Sequence, residues 1–365
     1  MAWGLTENHL AVTSWEGDVH VLSVNAQNNS VASVQAAHNP PMKMPQPILC
    51  SAWTRSMELL LGTCEGKLLA WDVQKGANAG AVAERGRHEG GIKFCKALHN
   101  EDGWSINGIL TGSWDKTVAL WDVRQGSLQP MSKIKVPGKV YGMDVLCPYF
   151  LVAGSDRLIS LHDVRNGAQC VASFPSYSPL MFQTRSACLI SNLNNGMEPQ
   201  GFAVGGINGE LGVVMLRQGE GPQQRKILLT QPAMAGQPQS SARAVNVVTR
   251  MPNHPNLVVA GGGDGRFTVW NVGPVAAGGQ KGFFGDGTPE YKSEDPRNSL
   301  PPATNPAIQA KVWPSISCLS WSQKPNSPAI MAFANSSDSS GGAPDYMSSD
   351  QHVASLENIV RFWML

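Results

Sequence analysis

Three residue types that together can make a hydroxyl nucleophile are present: His88, Ser113 and Asp115. In such a trio an imidazole takes the hydroxyl proton and a carboxylate orients the imidazole. The spacing speaks against that chemistry. Ser113 and Asp115 stand two residues apart in Ser113-Trp114-Asp115-Lys116, which reads as a tight turn where a carboxylate accepts hydrogen bonds from turn amides. Other chemistry is also missing. No GxxxxGK[ST] phosphate loop, HExxH zinc motif or GxSxG elbow occurs. His88-Glu89 runs into Gly90-Gly91-Ile92, which supplies no second ligand. Gly261-Gly262-Gly263-Asp264-Gly265 lies between two strand-like runs, so it is read as a turn and not as a dinucleotide fingerprint. The eight histidines have no metal-ligand spacing. The expectation is a non-enzyme with no cofactor, no metal and no small-molecule substrate.

The elements that carry these residues repeat. Leu110 to Val123 reads strand, turn, strand, closing on Trp121-Asp122. Leu60 to Val73 and Val258 to Asn271 are further copies, and Leu151 to Val164 and Phe202 to Leu216 are weaker ones. Leu10 to Leu22 and Ser355 to Trp363 complete the set. Leu22, Trp71, Trp121, His162, Met215, Trp270 and Trp363 then occupy one equivalent slot, with spacings of 41 to 55 and a last gap of 93. Alternation at period 2 excludes a helical solenoid. A period of about 40 to 45, stretched by loops, belongs to four-stranded WD40 blades. Seven copies predict an all-β, seven-bladed WD40 β-propeller, a single domain over 1–365.

Two stretches break the pattern. Residues 274–312 hold Pro289, Pro296, Pro301, Pro302 and Pro306 and are read as a long Pro/Gly-rich connection between blades 6 and 7. Residues 335–350 read as a loop in blade 7. The chain runs only two residues past Trp363, so an open outer edge on blade 7 is expected, a template for strand pairing.

Composition bounds the partners. Hydrophobic residues make up 42% and charged residues 15%, so this is no disordered polyelectrolyte. A net charge of +1 gives no general affinity for a phosphate backbone. With 38 Gly and 25 Pro the chain is rich in turns. No apolar run nears the ~20 residues of a membrane helix, so no membrane partner is expected. Met1 to Thr6 lacks a basic n-region, and the seven cysteines form no CxxC pair. Reduced thiols without an export signal are the expectation.

A narrower resemblance rests on whole runs. Thr111-Gly112-Ser113-Trp114-Asp115-Lys116-Thr117, Ser14-Trp15-Glu16-Gly17, Val136-Pro137-Gly138-Lys139-Val140-Tyr141-Gly142-Met143-Asp144-Val145 and Ser178-Pro179-Leu180-Met181-Phe182-Gln183-Thr184-Arg185 carry it. Ala244-Val245-Asn246, followed by Gly263-Asp264-Gly265-Arg266-Phe267, adds a fifth stretch. Together they resemble the mRNA export factor propellers of the nuclear pore and their relatives, the mitotic-checkpoint propellers. That resemblance implies a structural tetrad of His88, Ser113, Asp115 and Trp121. It also implies a partner: the short acidic GLEBS segment of an FG nucleoporin, bound by Arg185, Trp114 and Trp15. A guanidinium suits a carboxylate because its fork meets both oxygens, and tryptophan is a frequent interface anchor. Nuclear, pore-associated localisation follows from the same likeness. RNA contact is implied too, weak and steeply salt-dependent at this charge. The alternatives are the mitotic branch, with kinetochore checkpoint proteins as partners, and a general WD40 scaffold or substrate receptor. One departure stands out: Leu228 to Met234 lacks the basic run that the family carries between blades 5 and 6.

Overall fold

The computed structural model describes most of the chain. The residues it describes exclude 5–8, 28–29, 38–40, 77–80, 99–107, 123–128, 175–179, 181, 192–198, 217–224, 231–243, 252–253, 264, 273–308, 312–314, 322–329, 337–359 and 365. The described residues are almost wholly strand, arranged as seven antiparallel sheets.

Sheet 1 orders Ala2–Trp3, His9–Thr13, Asp18–Gln27 and Ser30–Ala36, with Met42–Lys43 added alongside Asp18–Gln27. Sheet 2 is Ile48–Trp53, Glu58–Thr63, Lys67–Asp72 and Val82–Arg87. Sheet 3 is Ile92–Leu98, Gly108–Ser113, Thr117–Asp122 and Ser132–Lys135. Sheet 4 is Val140–Leu146, Tyr149–Gly154, Ile159–Asp163 and Gln169–Phe174. Sheet 5 is Thr184–Ser191, Pro199–Gly206, Glu210–Met215 and Arg225–Thr230. Sheet 6 is Val245–Met251, His254–Gly262, Arg266–Asn271 and Gln309–Lys311. Sheet 7 has three described strands, Ser315–Trp321, Ile330–Ser336 and Val360–Met364.

Sequential strands pair at their neighbours throughout, the signature of a meander built from hairpins. Five of these repeat slots occupy one register position; in sheet 5 that position belongs to Val214, which faces Phe202, and Met215 lies one residue beyond it. Leu22 faces Leu10, Trp71 faces Leu59, Trp121 faces Ile109, His162 faces Phe150, Met215 faces Gly201 and Trp270 faces Val258. Residues 274–312 divide differently from a plain connection between blades 6 and 7. Gln309–Lys311 pairs with Arg266–Asn271 and so belongs to sheet 6; 273–308 lie outside the described residues, as does most of 335–350.

The chain separates into two compact units, Met1–Phe174 with Ser320–Ala332 and Phe362–Leu365, and Pro175–Leu319 with Phe333–Arg361. In each, the core is a set of seams between neighbouring sheets. Leu59, Leu61 and Trp71 of sheet 2 pack with Ala11, Val19 and Val21 of sheet 1. Leu110, Val118 and Leu120 of sheet 3 pack with Val140, Phe150 and Val152 of sheet 4. In the second unit, Ala203, Leu211 and Val213 of sheet 5 pack with Val245, Val258 and Trp270 of sheet 6. Middle strands are covered on both faces, which explains why Gly108–Ser113 is buried at every residue rather than alternating.

The Asp that closes a repeat has a local task. Asp72 caps a short 3-10 turn, Val73–Lys75, and Asp163 caps another, Val164–Asn166, each side chain accepting from the backbone N–H two residues on.

Candidate functional site

His88 follows the outer strand of sheet 2 and is buried. Its ring reaches across to sheet 3. Nδ1 lies 3.0 Å from Asp115 Oδ2 and 2.9 Å from Thr117 Oγ1, and Nε2 lies 2.8 Å from Thr111 Oγ1. Trp121 Nε1 donates to that same Thr111 hydroxyl at 2.8 Å, and its ring meets the imidazole edge-on. The Trp121 ring needs Gly86 in the outer strand of sheet 2: a Cβ there would lie 2.4 Å from it.

Asp115 is the acceptor hub. Oδ1 takes the Thr117 N–H at 2.9 Å and the Thr117 hydroxyl at 2.6 Å, while Oδ2 takes the Glu89 N–H at 3.0 Å. Burial opposes ionisation, but the hydrogen bonds from His88, Thr117 and Glu89 outweigh it and hold the carboxyl well below the usual carboxylate range. A carboxylate only accepts, so Nδ1 of His88 carries the proton. Nε2 then accepts from the Thr111 hydroxyl, which in turn accepts from Trp121. The Thr111 hydroxyl also has Ala119 O within 3.3 Å, so the strand that carries Ala119 shares the network.

Of the four residues assigned to a tetrad, His88, Asp115 and Trp121 meet in this network. Ser113 takes another place: its Oγ donates to Gly90 O at 2.8 Å and accepts the Asp115 N–H at 3.0 Å. Thr111 and Thr117 hold the imidazole instead. Without a hydroxyl free to attack and presented to His88, the trio has no nucleophile geometry. The arrangement fastens sheet 2 to sheet 3.

The other sequence-predicted residues lie at strand starts and turns. Trp15 sits in the hairpin turn of sheet 1 and is 65% exposed. Trp114 sits in the equivalent turn of sheet 3 but is half-buried. Its ring and Leu49 both lie against Gly91, where a Cβ would come within 2.8 Å and 2.9 Å of them. Arg185 is exposed and opens the inner strand of sheet 5.

Arg185 occupies a recurring irregularity. In sheets 2 to 6 the register slips by one residue at the start of the inner strand, between Ile48 and Cys50, Ile92 and Phe94, Val140 and Gly142, Thr184 and Ser186, and Val245 and Val247. The looped-out residues are Leu49, Lys93, Tyr141, Arg185 and Asn246. A bulge re-aims the side chain it carries. Lys93 is exposed like Arg185, while Leu49, Tyr141 and Asn246 are half-buried. A sequence signal for this set exists. Each follows a buried β-branched residue, Ile48, Ile92, Val140, Thr184 or Val245.

Around Arg185 the surface is partly apolar, with Phe182 52% and Ile207 42% exposed. The backbone ties them together, Ile207 N donating to Gln183 O. No group of three or more His, Cys, Asp or Glu that could hold a metal occurs among the described residues. No described helix is long and apolar enough to cross a membrane.

Residues 84–122, the segment that holds His88, Thr111, Ser113, Asp115 and Trp121, match the WD domain, G-beta repeat. The crystal structure of the WD40 beta propeller domain of Doa1 superposes with a TM-score of 0.59 at 14% identity, covering 90% of this chain and 86% of that one. The repeat, the sheets and this likeness define the class: the protein is a WD40 β-propeller. Within that class the chain is a relative of the mRNA export factors. The mRNA export factor rae-1 of Caenorhabditis elegans is 30% identical over 264 residues, which are 72% of this chain and 66% of that protein. The Poly(A)+ RNA export protein of Schizosaccharomyces pombe is 26% identical over 273 residues, covering 74% and 70%. The spindle assembly checkpoint protein bub3 of the same yeast is 24% identical over 270 residues, covering 73% and 74%.

Proposed function

We propose that this chain is a non-catalytic propeller adaptor of nuclear mRNA export, acting at the nuclear pore by binding the GLEBS segment of an FG nucleoporin. The observation that carries the reading is the relationship, over nearly three quarters of the chain, to proteins named mRNA export factors or Poly(A)+ RNA export protein. The surface supports it. Arg185 is exposed on a bulge beside exposed Phe182 and Ile207, so a carboxylate and an aliphatic side chain of one segment find complementary groups side by side. Trp15 offers a second exposed aromatic. Binding of RNA or RNP is a weak, secondary part of the proposal.

Affinity capture of the tagged protein from its own cells, with mass spectrometry of what is bound, tests the reading. An FG nucleoporin with pore components is the expected result. Kinetochore checkpoint proteins in their place would move the chain to the mitotic branch, a reading kept open by its likeness to bub3. Neither set would leave a general scaffold. At the level of the site, Arg185→Glu replaces an attraction with a repulsion and is expected to weaken a GLEBS peptide by about 10-fold or more. Titration calorimetry on a variant with unchanged circular dichroism reads this. Unchanged affinity would remove Arg185 from the site.

A further inference from the structure

Two thiols of the first unit meet at the seam between sheets 2 and 3. Cys50 lies on the inner strand of sheet 2, opposite Gly62 in the register. A Cβ on Gly62 would sit 2.5 Å from Cys50 Sγ, so the space that glycine leaves is the space this sulfur fills. Cys95 lies on the inner strand of sheet 3, in the buried cluster against which Cys50 packs. Cys50 Sγ also donates to the carbonyl of Ile92, on the strand that carries Cys95, at 3.2 Å. The Cys50 thiol and burial together push the Cys95 thiol well up, which keeps it protonated in the resting pair. Cys95 is 5% exposed, whereas Cys50 is only half-buried. Both are free thiols in this structure.

We propose that Cys50 and Cys95 form a modification site, a dithiol that hydroperoxides convert to a disulfide joining the inner strands of sheets 2 and 3. The accessible sulfur reacts first. The Cys50 thiolate attacks one peroxide oxygen, the O–O bond breaks, and the departing hydroxide takes up the thiol proton as water. Cys50 is then a sulfenic acid. The Cys95 sulfur attacks the Cys50 sulfur, the S–O bond breaks, and the leaving hydroxide takes the Cys95 proton as a second water. Two thiols give up two electrons and two protons, and one peroxide becomes two waters. Leu49, next to Cys50, packs with Trp114 at Gly91, so the bond restrains the sheet 2 bulge beside that tryptophan.

The test uses the full chain with exposed Cys170 changed to Ser, which closes the main route to intermolecular bonds. The folded protein is treated with hydrogen peroxide, free thiols are blocked with N-ethylmaleimide in denaturant, and the digest is read by tandem mass spectrometry. A Cys50–Cys95 peptide pair is expected. It disappears on reduction and in Cys50→Ser, and it is strongly diminished in Gly62→Ala. Should Gly62→Ala not fold, Cys95→Ala carries the control and leaves Cys50 as a blockable or over-oxidised thiol. Recovery of both cysteines in alkylated form would overturn the proposal. So would Cys50 found as a sulfinic acid without a cross-link, or bonds spread over the remaining cysteines.

Discussion

Sheets 3 and 4 are built from the same repeat, yet they close on their neighbours by different means. In sheet 3 the positions read His88, Asp115 and Trp121. In sheet 4 the equivalent positions read Val136, Asp156 and His162. The equivalence is structural. His88 N bonds to Gly66 O and Val136 N bonds to Lys116 O, each joining a turn of the preceding sheet. Trp121 faces Ile109 as His162 faces Phe150. Lys116 and Arg157 both take positive φ in the turn, at 65°. With valine in the histidine position, Asp156 has no imidazole to accept from and stays exposed, its Oδ1 taking only the Leu158 N–H among the bonds seen for it in sheet 4. His162 then turns inward. It stacks on Phe150 at 4.8 Å, meets Ser160 Oγ at 2.7 Å and donates to Ala168 O at 3.0 Å. The same scaffold therefore tolerates a polar staple in one seam and an apolar one in the next. What it does not tolerate is half a staple, since a buried carboxylate without its donors is costly.

The largest expected effect breaks that staple. His88→Ala removes the donor to Asp115 and the acceptor of Thr111 and leaves both buried. A loss of about 3–5 kcal/mol is expected, the range for breaking a buried pair from one side. Val136→Ala, at the matching position, removes two methyl-sized groups and should cost about 1–2 kcal/mol. Urea denaturation of both variants against the parent reads the difference. Equal losses would mean that the network contributes no more than packing does.

Asp115 and Asp156 sharpen the same contrast. Asp115→Asn keeps the shape but gives up the charge that four donors address, and about 2 kcal/mol should go with it. Asp156→Asn, at an exposed turn, should stay within about 0.5 kcal/mol. The pH dependence follows in sign. The Asp115 carboxyl is depressed in the folded state, so its contribution is complete above the ordinary carboxylate range and is lost as pH falls through that range towards the folded value. The stability gap between the two variants should therefore be full at neutral pH and close as pH falls below about 4. Coincident curves of stability against pH would show that Asp115 is no more strongly held than Asp156.

The contrast also shows what local sequence can and cannot disclose. Hairpins, turns and most slot positions were legible, because Gly, Asp and Trp recur at fixed offsets and the register follows them; in sheet 5, where no Trp marks the slot, the register gives it to Val214 rather than Met215. His88, Asp115 and Trp121 were legible as a set by family likeness. The hydroxyl partner was not. Thr111 and Ser113 are two apart on one strand and so share a face, and which of them meets the imidazole depends on how deeply His88 reaches across from sheet 2. That depth is a property of two sheets together. The outer strand of sheet 6 was hidden for a related reason. Gln309–Lys311 pairs with Arg266–Asn271 across a long intervening stretch, and no local pattern reports a partner so far away. Arg185 could be named from its run, but its place on a bulge shared with Lys93 and Tyr141 emerged only from the register.

The smallest effect concerns the residue that replaces tryptophan. Burial lowers the pKa of His162, against the opposing pull of its bond to Ala168. The folded protein therefore holds the ring neutral at a pH where the unfolded chain has begun to protonate it. Stability tied to His162 is present above about pH 6.5, the ordinary histidine value, and declines as pH falls below it, because the unfolded state binds the extra proton. His162→Phe keeps the stack on Phe150 and removes the titration. It is expected to be somewhat less stable at neutral pH, since Ala168 O and Ser160 lose their partner, but flatter between about pH 7 and pH 5. His20, whose pKa burial also lowers, titrates in both proteins, so the difference between the two slopes isolates position 162. Parallel slopes would mean that the imidazole in this slot is held no more neutral than in the unfolded chain. The seam between sheets 3 and 4 would then owe its tolerance of histidine to solvent reaching the ring rather than to the stack on Phe150.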